Sequence, residues 1–425
     1  MNILIKDILA VSAGTAFKSD IYIRDGIIAA LGTNLQGFTP DWIISGDNRL
    51  AVPALINCHT HAYMSIFRNI ADDLPFNEWL FDRIMPLEEA MTAQDAYWGC
   101  MLSCIEMIRS GTGTFCDMHM FPNQTPKAAL SCGMRAVVSR GLSGGGSDSG
   151  GGRRIKEAVS EIEKYSDEPL IDFMIAPHSV YTCDRAYLIK TMRLAERLDL
   201  PLNTHLSESV FEVESCIKEH GLTPVQYLDS IGFFDRRTLA AHCVHLTEKD
   251  IEILAEKSVS VAANPKSNLK LGNGTAPVMQ MLEKDINICI GTDSAASNNS
   301  LNLFSDMNYT ALLHKGTSGD AASVTAEEVL AMATENGAKA LGLEMLGRLE
   351  VGCKADIALL DTSSPQLNPL NNPISALSYS ANGSEVDTMI IDGRVVMENR
   401  RLTQIDEEEV YYNIKRITRK LGGNK

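Results

Sequence analysis

The sequence lacks the patterns that mark several common classes of protein. Its 38 basic residues are outnumbered by 54 acidic ones, and the resulting net charge of −16 disfavours binding to nucleic acid or to an anionic membrane surface. No Cys-x-x-Cys pair occurs among the ten cysteines, which are scattered through apolar stretches. We therefore expect free, buried thiols in a reducing cytoplasm, not disulfides.

Long apolar segments are also missing. The longest uncharged apolar run, residues 51–67, contains two histidines and a proline, so we expect no transmembrane segment. The first residues, MNILIKDILAVSAG, are interrupted by Lys6 and Asp7 and do not form a signal-peptide pattern. These features predict a cytoplasmic protein without a membrane partner.

Two patterns divide the 425 residues. Residues 1–54 and 346–425 consist of short alternating strands with turns such as Asp25-Gly26, which predicts one small β-sandwich domain built from both chain ends. Residues 55–345 alternate short apolar strands with helical segments such as 86–110 and 184–199, which indicates an α/β fold, a (β/α)8 TIM-like barrel. The candidate barrel strands are 51–57, 111–118, 134–139, 171–177, 200–205, 238–242, 258–263 and 286–292. A doubly wound sheet is the alternative, but no Gly-x-Gly-x-x-Gly turn follows these strands.

Metal-ligating residue types stand where several candidate strands end. His59 and His61 close the first strand, His205 the fifth and Asp293 the eighth. The carboxyl ends of barrel strands open on one face, and an extended His-x-His segment places both imidazoles on the same side. Imidazole and carboxylate suit Zn²⁺, with Fe²⁺ as the alternative. The fourth strand ends in IAPHSV without a lysine that could bridge two metals, so we expect one ion per subunit.

Such a metal would lower the pKa of a bound water from 15.7 to about 7. Asp293 can take the proton of that water, and Glu208, three residues after His205, can deliver a proton to the substrate. His242, at the end of the sixth strand, can bind the developing oxyanion. The set fits hydrolysis of an amide, an amidine or an amino-purine carbon. The Pro-Cys-x-x-Cys pattern of the zinc cytidine deaminases is absent.

The ordered motifs resemble the amidohydrolase superfamily, and within it the 5′-methylthioadenosine/S-adenosylhomocysteine deaminase family. The resemblance extends over essentially the whole chain, in the segments LINCHTHAYMSIFR, WLFDRIMPLEE, SRGL with GGGR, APHSVYTC, NTHLSES, AAHCVHL, NPKSNLKLGNG, GTDSAASNNSLNL and GRLEVGCKADIALLD. It implies deamination of the adenine ring of a 5′-modified adenosine, with Glu208 as the proton shuttle. The metal ligands that it implies are His59, His61, His205 and Asp293.

The resemblance also implies substrate contacts. Glu88 matches the position that binds the ribose hydroxyls; its alternative is a charge at a helix start. Arg140 and Arg153 match positions near the nucleoside tail, where a guanidinium can hold a homocysteine carboxylate, although ordinary surface arginines are the alternative. His178 matches a substrate contact, with core packing as the alternative. Arg154 directly follows Arg153, so the register between them is open.

The glycine-rich segment SGGGSDSGG precedes these arginines, and we expect a mobile loop there that orders over the substrate. Asp117 and His119 end the second strand near the site, and the sequence assigns them no role. The substrate is 5′-methylthioadenosine, S-adenosylhomocysteine, 5′-deoxyadenosine or adenosine. The alternatives are another purine, a pterin or a triazine-like ring, and a non-catalytic scaffold. Barrels of this family often assemble, which leaves a homo-oligomer open.

Overall fold

The computed structural model describes residues 1–35, 37–145 and 150–421. Its strands are β1 (Ile3–Ser12), β2 (Thr15–Arg24), β3 (Ile27–Gly32), β4 (Trp42–Ser45), β5 (Arg49–Pro53), β6 (Leu55–Thr60), β7 (Thr112–His119), β8 (Arg135–Leu142), β9 (Ile171–Phe173), β10 (Ala176–Pro177), β11 (Leu202–Leu206), β12 (Thr238–His242), β13 (Ser260–Ala263), β14 (Ile288–Ile290), β15 (Ile357–Asp361), β16 (Val386–Ile391), β17 (Arg394–Glu398) and β18 (Arg401–Leu402).

The α-helices are α1 (Met85–Glu89), α2 (Ala93–Arg109), α3 (Gln124–Cys132), α4 (Gly150–Tyr165), α5 (Arg185–Leu198), α6 (Val210–His220), α7 (Pro224–Ser230), α8 (Glu248–Glu256), α9 (Pro265–Lys270), α10 (Val278–Leu282), α11 (Leu303–Ser318), α12 (Ala326–Met332), α13 (Glu335–Leu341), α14 (Pro373–Ser375) and α15 (Glu407–Leu421). Short 3-10 segments lie at Ala62–Phe67, Phe233–Asp235 and Pro365–Leu367. Two π-helical segments lie at Glu78–Ile84 and Ala376–Ser380.

Strands from both ends of the chain join in one nine-stranded sheet. Its order is β18-β17-β16-β15-β5-β1-β2-β3, with β4 paired to β1. The two ends meet where β5 runs antiparallel to β15, so that Ala51 lies opposite Leu359. Asp25-Gly26 joins β2 to β3 with φ angles of 52° and 77°, the conformation that a two-residue hairpin turn requires. Inward-facing aliphatic side chains give this sheet its own core, which includes Ile3, Ile5, Ile21, Ile23, Ile357 and Leu359.

The middle of the chain forms the predicted barrel. Parallel strands β6, β7, β8 and β10 make one half, with β9 beside β8, and β11 to β14 make the other. Ile175 bridges to Leu202 on one side, and on the other the Asp293 amide donates to the His59 carbonyl at 2.9 Å. The side-chain amide of Asn57 also donates to the Thr292 hydroxyl at 2.7 Å. The two halves therefore close on each other, and the strand ends open on a common face.

Two predicted elements are divided in the structure. The first candidate barrel strand, 51–57, is split at Ala54: β5 ends in the nine-stranded sheet at Pro53, and β6 begins the barrel at Leu55. The helical pattern 86–110 is likewise interrupted between α1 and α2. Thr92 caps α2, because its hydroxyl accepts from the Asp95 amide while the Asp95 carboxylate accepts from the Thr92 amide. Apolar periodicity alone runs across both interruptions. The domain boundaries at 54/55 and 345/346 stay predictions.

Buried charge joins the nine-stranded sheet to the bottom of the barrel. The Arg135 guanidinium, at the start of β8, pairs with Asp356 and with Asp392, each at 3.1 Å. Farther along the chain, α15 returns to the barrel and lies against α2, where Glu407 pairs with Arg109 at 2.6 Å and Lys420 with Asp95 at 2.8 Å.

The prediction of free, buried thiols is confirmed, since all ten cysteines are free and buried. Among the described residues, no helix has the length and apolarity needed to cross a bilayer.

Candidate functional site

The four candidate metal ligands converge at the carboxyl ends of three barrel strands. His59 lies in β6 and His61 directly after it, His205 lies in β11, and Asp293 follows β14. The Nε2 atoms of His61 and His205 are 3.2 Å apart. One Asp293 carboxylate oxygen lies 3.5 Å from Nε2 of His61 and 3.7 Å from Nε2 of His59. These distances leave the four side chains directed at one point.

Backbone carbonyls fix the orientation of two of these imidazoles. His61 Nδ1 donates to the Met118 carbonyl at 2.6 Å, and His205 Nδ1 donates to the His178 carbonyl at 2.8 Å. Nε2 of each ring therefore faces the shared point, where the neutral tautomer would offer its lone pair to a cation. Burial, reinforced by neighbouring histidines, holds the pKa of His205 well below its ordinary value, so that the ring is neutral.

The surroundings of His59 give the clearest structural indication of a metal site. Its side chain is fully buried, and neither ring nitrogen has a hydrogen-bond partner among the described residues. An unpaired buried polar group costs free energy, which a bound cation would offset. Its ligand-type nitrogen lies within 4.8 Å of those of His61 and the Asp293 oxygen, and also of those of His205 and His242. Three imidazoles and a carboxylate are a donor set for Zn²⁺ or Fe²⁺, so the residues fit a divalent metal.

Hydroxyl groups hold the Asp293 carboxylate in its ionised form. Its second oxygen accepts from the Ser267 hydroxyl at 2.6 Å and from the Ser297 hydroxyl at 2.7 Å, and the Ser294 amide donates to the first at 2.7 Å. Burial alone would raise the pKa of Asp293, but the charges of the surrounding histidines and the Ser267 hydroxyl lower it to about 2. These serines lie in the family-like segments NPKSNLKLGNG and GTDSAASNNSLNL, but their sequence positions alone predict no role for them.

Glu208 lies beside this cluster, between polar groups from other loops. One oxygen accepts from the Asn273 amide at 3.1 Å, and the other is 3.8 Å from Nε2 of His242. Burial, followed by the charge of Asp293, raises the pKa of Glu208 to about 8. A carboxylic acid that keeps its proton at neutral pH can donate it to a substrate atom. The Glu212 carboxylate accepts a hydrogen bond from the backbone amide of Glu208 at 2.8 Å, which holds the loop that carries Glu208 in place.

His242 is oriented by an asparagine from a neighbouring helix. Its Nδ1 lies 2.8 Å from the Asn268 side-chain oxygen and therefore donates to it, which leaves Nε2 toward Glu208. The backbone at His242 and Asp293 is left-handed, with φ angles of 75° and 61°. Strained backbone of this kind is concentrated at functional sites, and here it turns both side chains sharply at the strand ends.

A cavity of about 390 Å³ opens above the cluster. Its floor includes His61, His205, Glu208, His242 and Asp293. One wall is apolar and comes largely from Phe76 and from the π-helical segment Glu78–Ile84, with side chains of Trp79, Leu80, Phe81 and Ile84. Mixed apolar walls with a few convergent polar groups are typical of small-molecule sites.

The predicted substrate contacts all line this cavity. Glu88 is half-buried and accepts a hydrogen bond from the Tyr63 hydroxyl, a partner that sequence reasoning missed. Burial is the main cause that raises the pKa of Glu88. His178 packs beside His205, with ring centroids 4.6 Å apart, and burial lowers its pKa to about 3.

The arginines reach the cavity from two different elements. Arg140 lies in β8 and is buried, whereas Arg153 lies in the first turn of α4 and its side chain is 63% exposed. Arg154 also lines the cavity and donates to the Ser143 carbonyl at 2.8 Å. The predicted mobile loop falls in part on residues 146–149, which lie outside the described residues.

Asp117 and His119 support the site. Asp117 accepts from the Thr60 hydroxyl at 2.9 Å and from the Ala62 amide at 2.6 Å, so it fixes the backbone on both sides of His61. His119 pairs with Glu161 of α4 at 2.8 Å, with both side chains buried. These contacts span 42 to 57 residues of sequence, and no local pattern reports them.

A barrel with a histidine–aspartate cluster at its strand ends is the architecture of a metal-dependent hydrolase. The model of the amidohydrolase family matches residues 50–396. The chain belongs to the amidohydrolase family.

Its relatives are similar over their full length. The chain is 44% identical over 427 residues to the 5-methylthioadenosine/S-adenosylhomocysteine deaminase of Caldanaerobacter subterraneus subsp. tengcongensis, with 99% of each chain covered. Among solved structures, an adenosine deaminase from Xanthomonas campestris with bound zinc has a TM-score of 0.95 at 31% identity and covers 99% of this chain and 98% of its own. An atrazine chlorohydrolase from Arthrobacter aurescens TC1, complexed with zinc, has a TM-score of 0.91 at 25% identity, with 98% and 100% covered.

Proposed function

We propose that this protein is a metal-dependent aminohydrolase that deaminates the adenine ring of a 5′-modified adenosine to the inosine analogue and ammonia. The observation that carries the proposal is the placement of Glu208, an acid with a raised pKa, beside the four-residue cluster of His59, His61, His205 and Asp293. The names of the full-length relatives support adenine as the ring.

The cluster would hold one divalent ion through three imidazole nitrogens and the Asp293 carboxylate. We propose Zn²⁺, with Fe²⁺ as the alternative, because zinc is bound in the similar adenosine deaminase and atrazine chlorohydrolase structures. A divalent ion there supplies Lewis acidity that ionises water near neutral pH.

The protein's own groups divide the proton transfers between them. Asp293, ionised at neutral pH, accepts the proton of the attacking water. Glu208 donates a proton to the purine ring nitrogen next to the attacked carbon. His242 hydrogen-bonds the oxygen that becomes bound to that carbon, where negative charge develops. The leaving amino group takes the proton held by Asp293 and departs as ammonia. The new hydroxyl on the attacked carbon gives its proton to Glu208 and becomes the carbonyl. Both carboxyl groups thus return to their starting states, and one water is consumed.

The remaining contacts select a nucleoside. Glu88 can accept hydrogen bonds from both ribose hydroxyls, with Tyr63 orienting its carboxylate. The apolar wall suits the purine and a thioether or methyl group at the 5′ position. His178 contacts the substrate, and Arg140 with Arg153 lies where the 5′ tail would end. We further propose a cytoplasmic enzyme with a small-molecule nucleoside as its partner, without nucleic acid or membrane, and assembly as a homo-oligomer.

Ammonia release tests the proposal. The zinc-loaded protein is offered 5′-methylthioadenosine, S-adenosylhomocysteine, 5′-deoxyadenosine and adenosine side by side. We expect deamination of at least one at a kcat/KM of about 10⁴ M⁻¹s⁻¹ or more. Activity on a triazine or a free purine, with none on the four nucleosides, would replace the proposal with the alternative ring substrate.

A change at Glu88 tests the ribose contact. Glu88→Gln is expected to lower kcat/KM for adenosine by about 10- to 100-fold, because hydrogen bonds to a charged acceptor are lost. The value for 2′,3′-dideoxyadenosine should stay within about twofold, since that substrate offers no hydroxyls to Glu88. Glu78→Gln, an exposed change nearby in the chain, is the control. Equal losses on both nucleosides would remove Glu88 from the ribose site.

A further inference from the structure

A carboxylate of the protein itself occupies the arginine cluster at the tail end of the cavity. Glu157 of α4 accepts from Nε of Arg140 at 3.2 Å through one oxygen and from Nη1 of Arg153 at 2.5 Å through the other. One acidic side chain therefore joins two of the three arginines that line the cavity, Arg140 and Arg153, which the proposed function places at the 5′ tail.

Most N–H donors of the Arg140 guanidinium already have hydrogen-bond partners in the protein. Besides Nε, its Nη1 donates to the Gly141 carbonyl at 2.7 Å and lies 3.1 Å from the Met120 sulfur. Nη2 is the one guanidinium nitrogen of Arg140 without a hydrogen bond among the described residues. A carboxylate held in a fork needs two nitrogens of the same guanidinium, so Arg140 can offer an incoming carboxylate only a single-nitrogen contact.

Arg153 does not supply the second strong contact that a substrate carboxylate would need. Its side chain is 63% exposed, and water screens an ion pair formed there. Its Nη1 is already on Glu157, in a pair four residues apart on one helix. A substrate carboxylate would also enter beside the negative charge of Glu157, and that repulsion offsets part of the attraction of the two arginines.

We infer that Glu157 is a specificity-determining residue that makes this enzyme prefer adenosines with an uncharged 5′ group over S-adenosylhomocysteine. The inference rests on the proposed function and narrows its substrate class. Arg140, Arg153 and Glu157 together carry one net positive charge. Without the Glu157 charge they would carry two, and the tail carboxylate of the substrate would become their counter-ion.

The experiment compares kcat/KM for S-adenosylhomocysteine with that for 5′-methylthioadenosine in one enzyme preparation. In the wild type this ratio is expected to lie below one. In Glu157→Gln, which keeps the side-chain shape, it should rise about tenfold, the effect of one hydrogen-bonded charge. The carboxamide of S-adenosylhomocysteine, which lacks the tail charge, should gain nothing. Glu163→Gln, an exposed change of the same charge on the same helix, is the matched control.

Because the ratio is internal to each preparation, partial misfolding does not move it. An unchanged or lower ratio in Glu157→Gln overturns the inference, and a lower one would mean that Glu157 orients the arginines for the tail. Arg153→Met gives a second test that leaves Glu157 in place. In this variant the ratio of the two kcat/KM values should stay within about threefold of the wild-type ratio. A larger loss on S-adenosylhomocysteine would show that Arg153 holds the carboxylate. If the wild type deaminates no adenosine, the proposed function falls as well.

Discussion

Replacing Glu208 by glutamine is expected to lower kcat by about 10²–10⁴-fold, the range for loss of a general acid–base group. Glutamine keeps the volume and can still accept the Asn273 hydrogen bond, but it cannot transfer a proton. KM should change little, because the side chain acts mainly on the reacting nitrogen. Steady-state ammonia release on 5′-methylthioadenosine measures both parameters.

Glu214→Gln is the matched control for this variant. Glu214 is exposed and lies on α6, only six residues farther along the chain, so the same chemical change occurs outside the cavity. Zinc content of the Glu208 variant should equal that of the wild type, since none of the four candidate ligands is altered. Undiminished turnover would mean that another group moves the proton.

The same residue sets a pH dependence. Burial and the charge of Asp293 raise the pKa of Glu208 to about 8, with His61 and Asn273 acting in the opposite direction. The acid is protonated below that pH and loses its proton above it, so kcat/KM should fall as the pH rises through about 8. The residual activity of Glu208→Gln should lack this decline. A decline of the same shape in the variant would assign it to a different group.

Loss of the metal is the expected result of changing His59. His59→Asn should reduce bound zinc from one ion per chain to a small fraction, and kcat by at least about 10³-fold, because activation of water depends on the ion. The buried ring makes no hydrogen bond to the described residues, so the variant breaks no hydrogen bond while it removes one candidate ligand nitrogen. Elemental analysis of the purified variant reads out the ion directly.

His220→Asn is the control for this change. His220 lies on α6, where its ring stacks on Tyr227 at a centroid distance of 4.0 Å, outside the cavity lining. It should retain both zinc and activity. Full zinc occupancy in His59→Asn would contradict the ligand set and leave His61, His205, His242 and Asp293 as the alternative donors.

The convergence of the candidate ligands was predictable because it depends on two periodicities. Alternating strands and helices imply a parallel barrel, and His59 and His61 two residues apart imply one side of an extended segment. The division of the first strand at Ala54 was not predictable. Residues 51–56 are apolar throughout, whether they face the core of the sheet or that of the barrel, and only pairing with β15 distinguishes the two parts.

The groups that orient the site were hidden for a different reason. Asn268 reaches His242 across 26 residues, and Asn273 reaches Glu208 across 65. Glu157, in helix α4, reaches back to Arg140 in the preceding strand. Each of these contacts depends on how a loop returns over the barrel, which apolar spacing does not encode. The sequence shows the Arg153–Glu157 pair as a four-residue helical spacing. It does not show that Glu157 also pairs with Arg140.

The pairing of β5 with β15 has a consequence for how the chain is made. Translation delivers β5 more than 300 residues before its antiparallel neighbour β15. Only Ala54 separates β5 from β6, which carries His59. Until residues 357–361 leave the ribosome, the nascent chain holds β5 with an open edge, which is prone to pair with other strands. The segment bearing His59 and His61 therefore gains its final anchorage only after residue 361 has been synthesised, and a chain released before that point is expected to aggregate before it can deaminate anything.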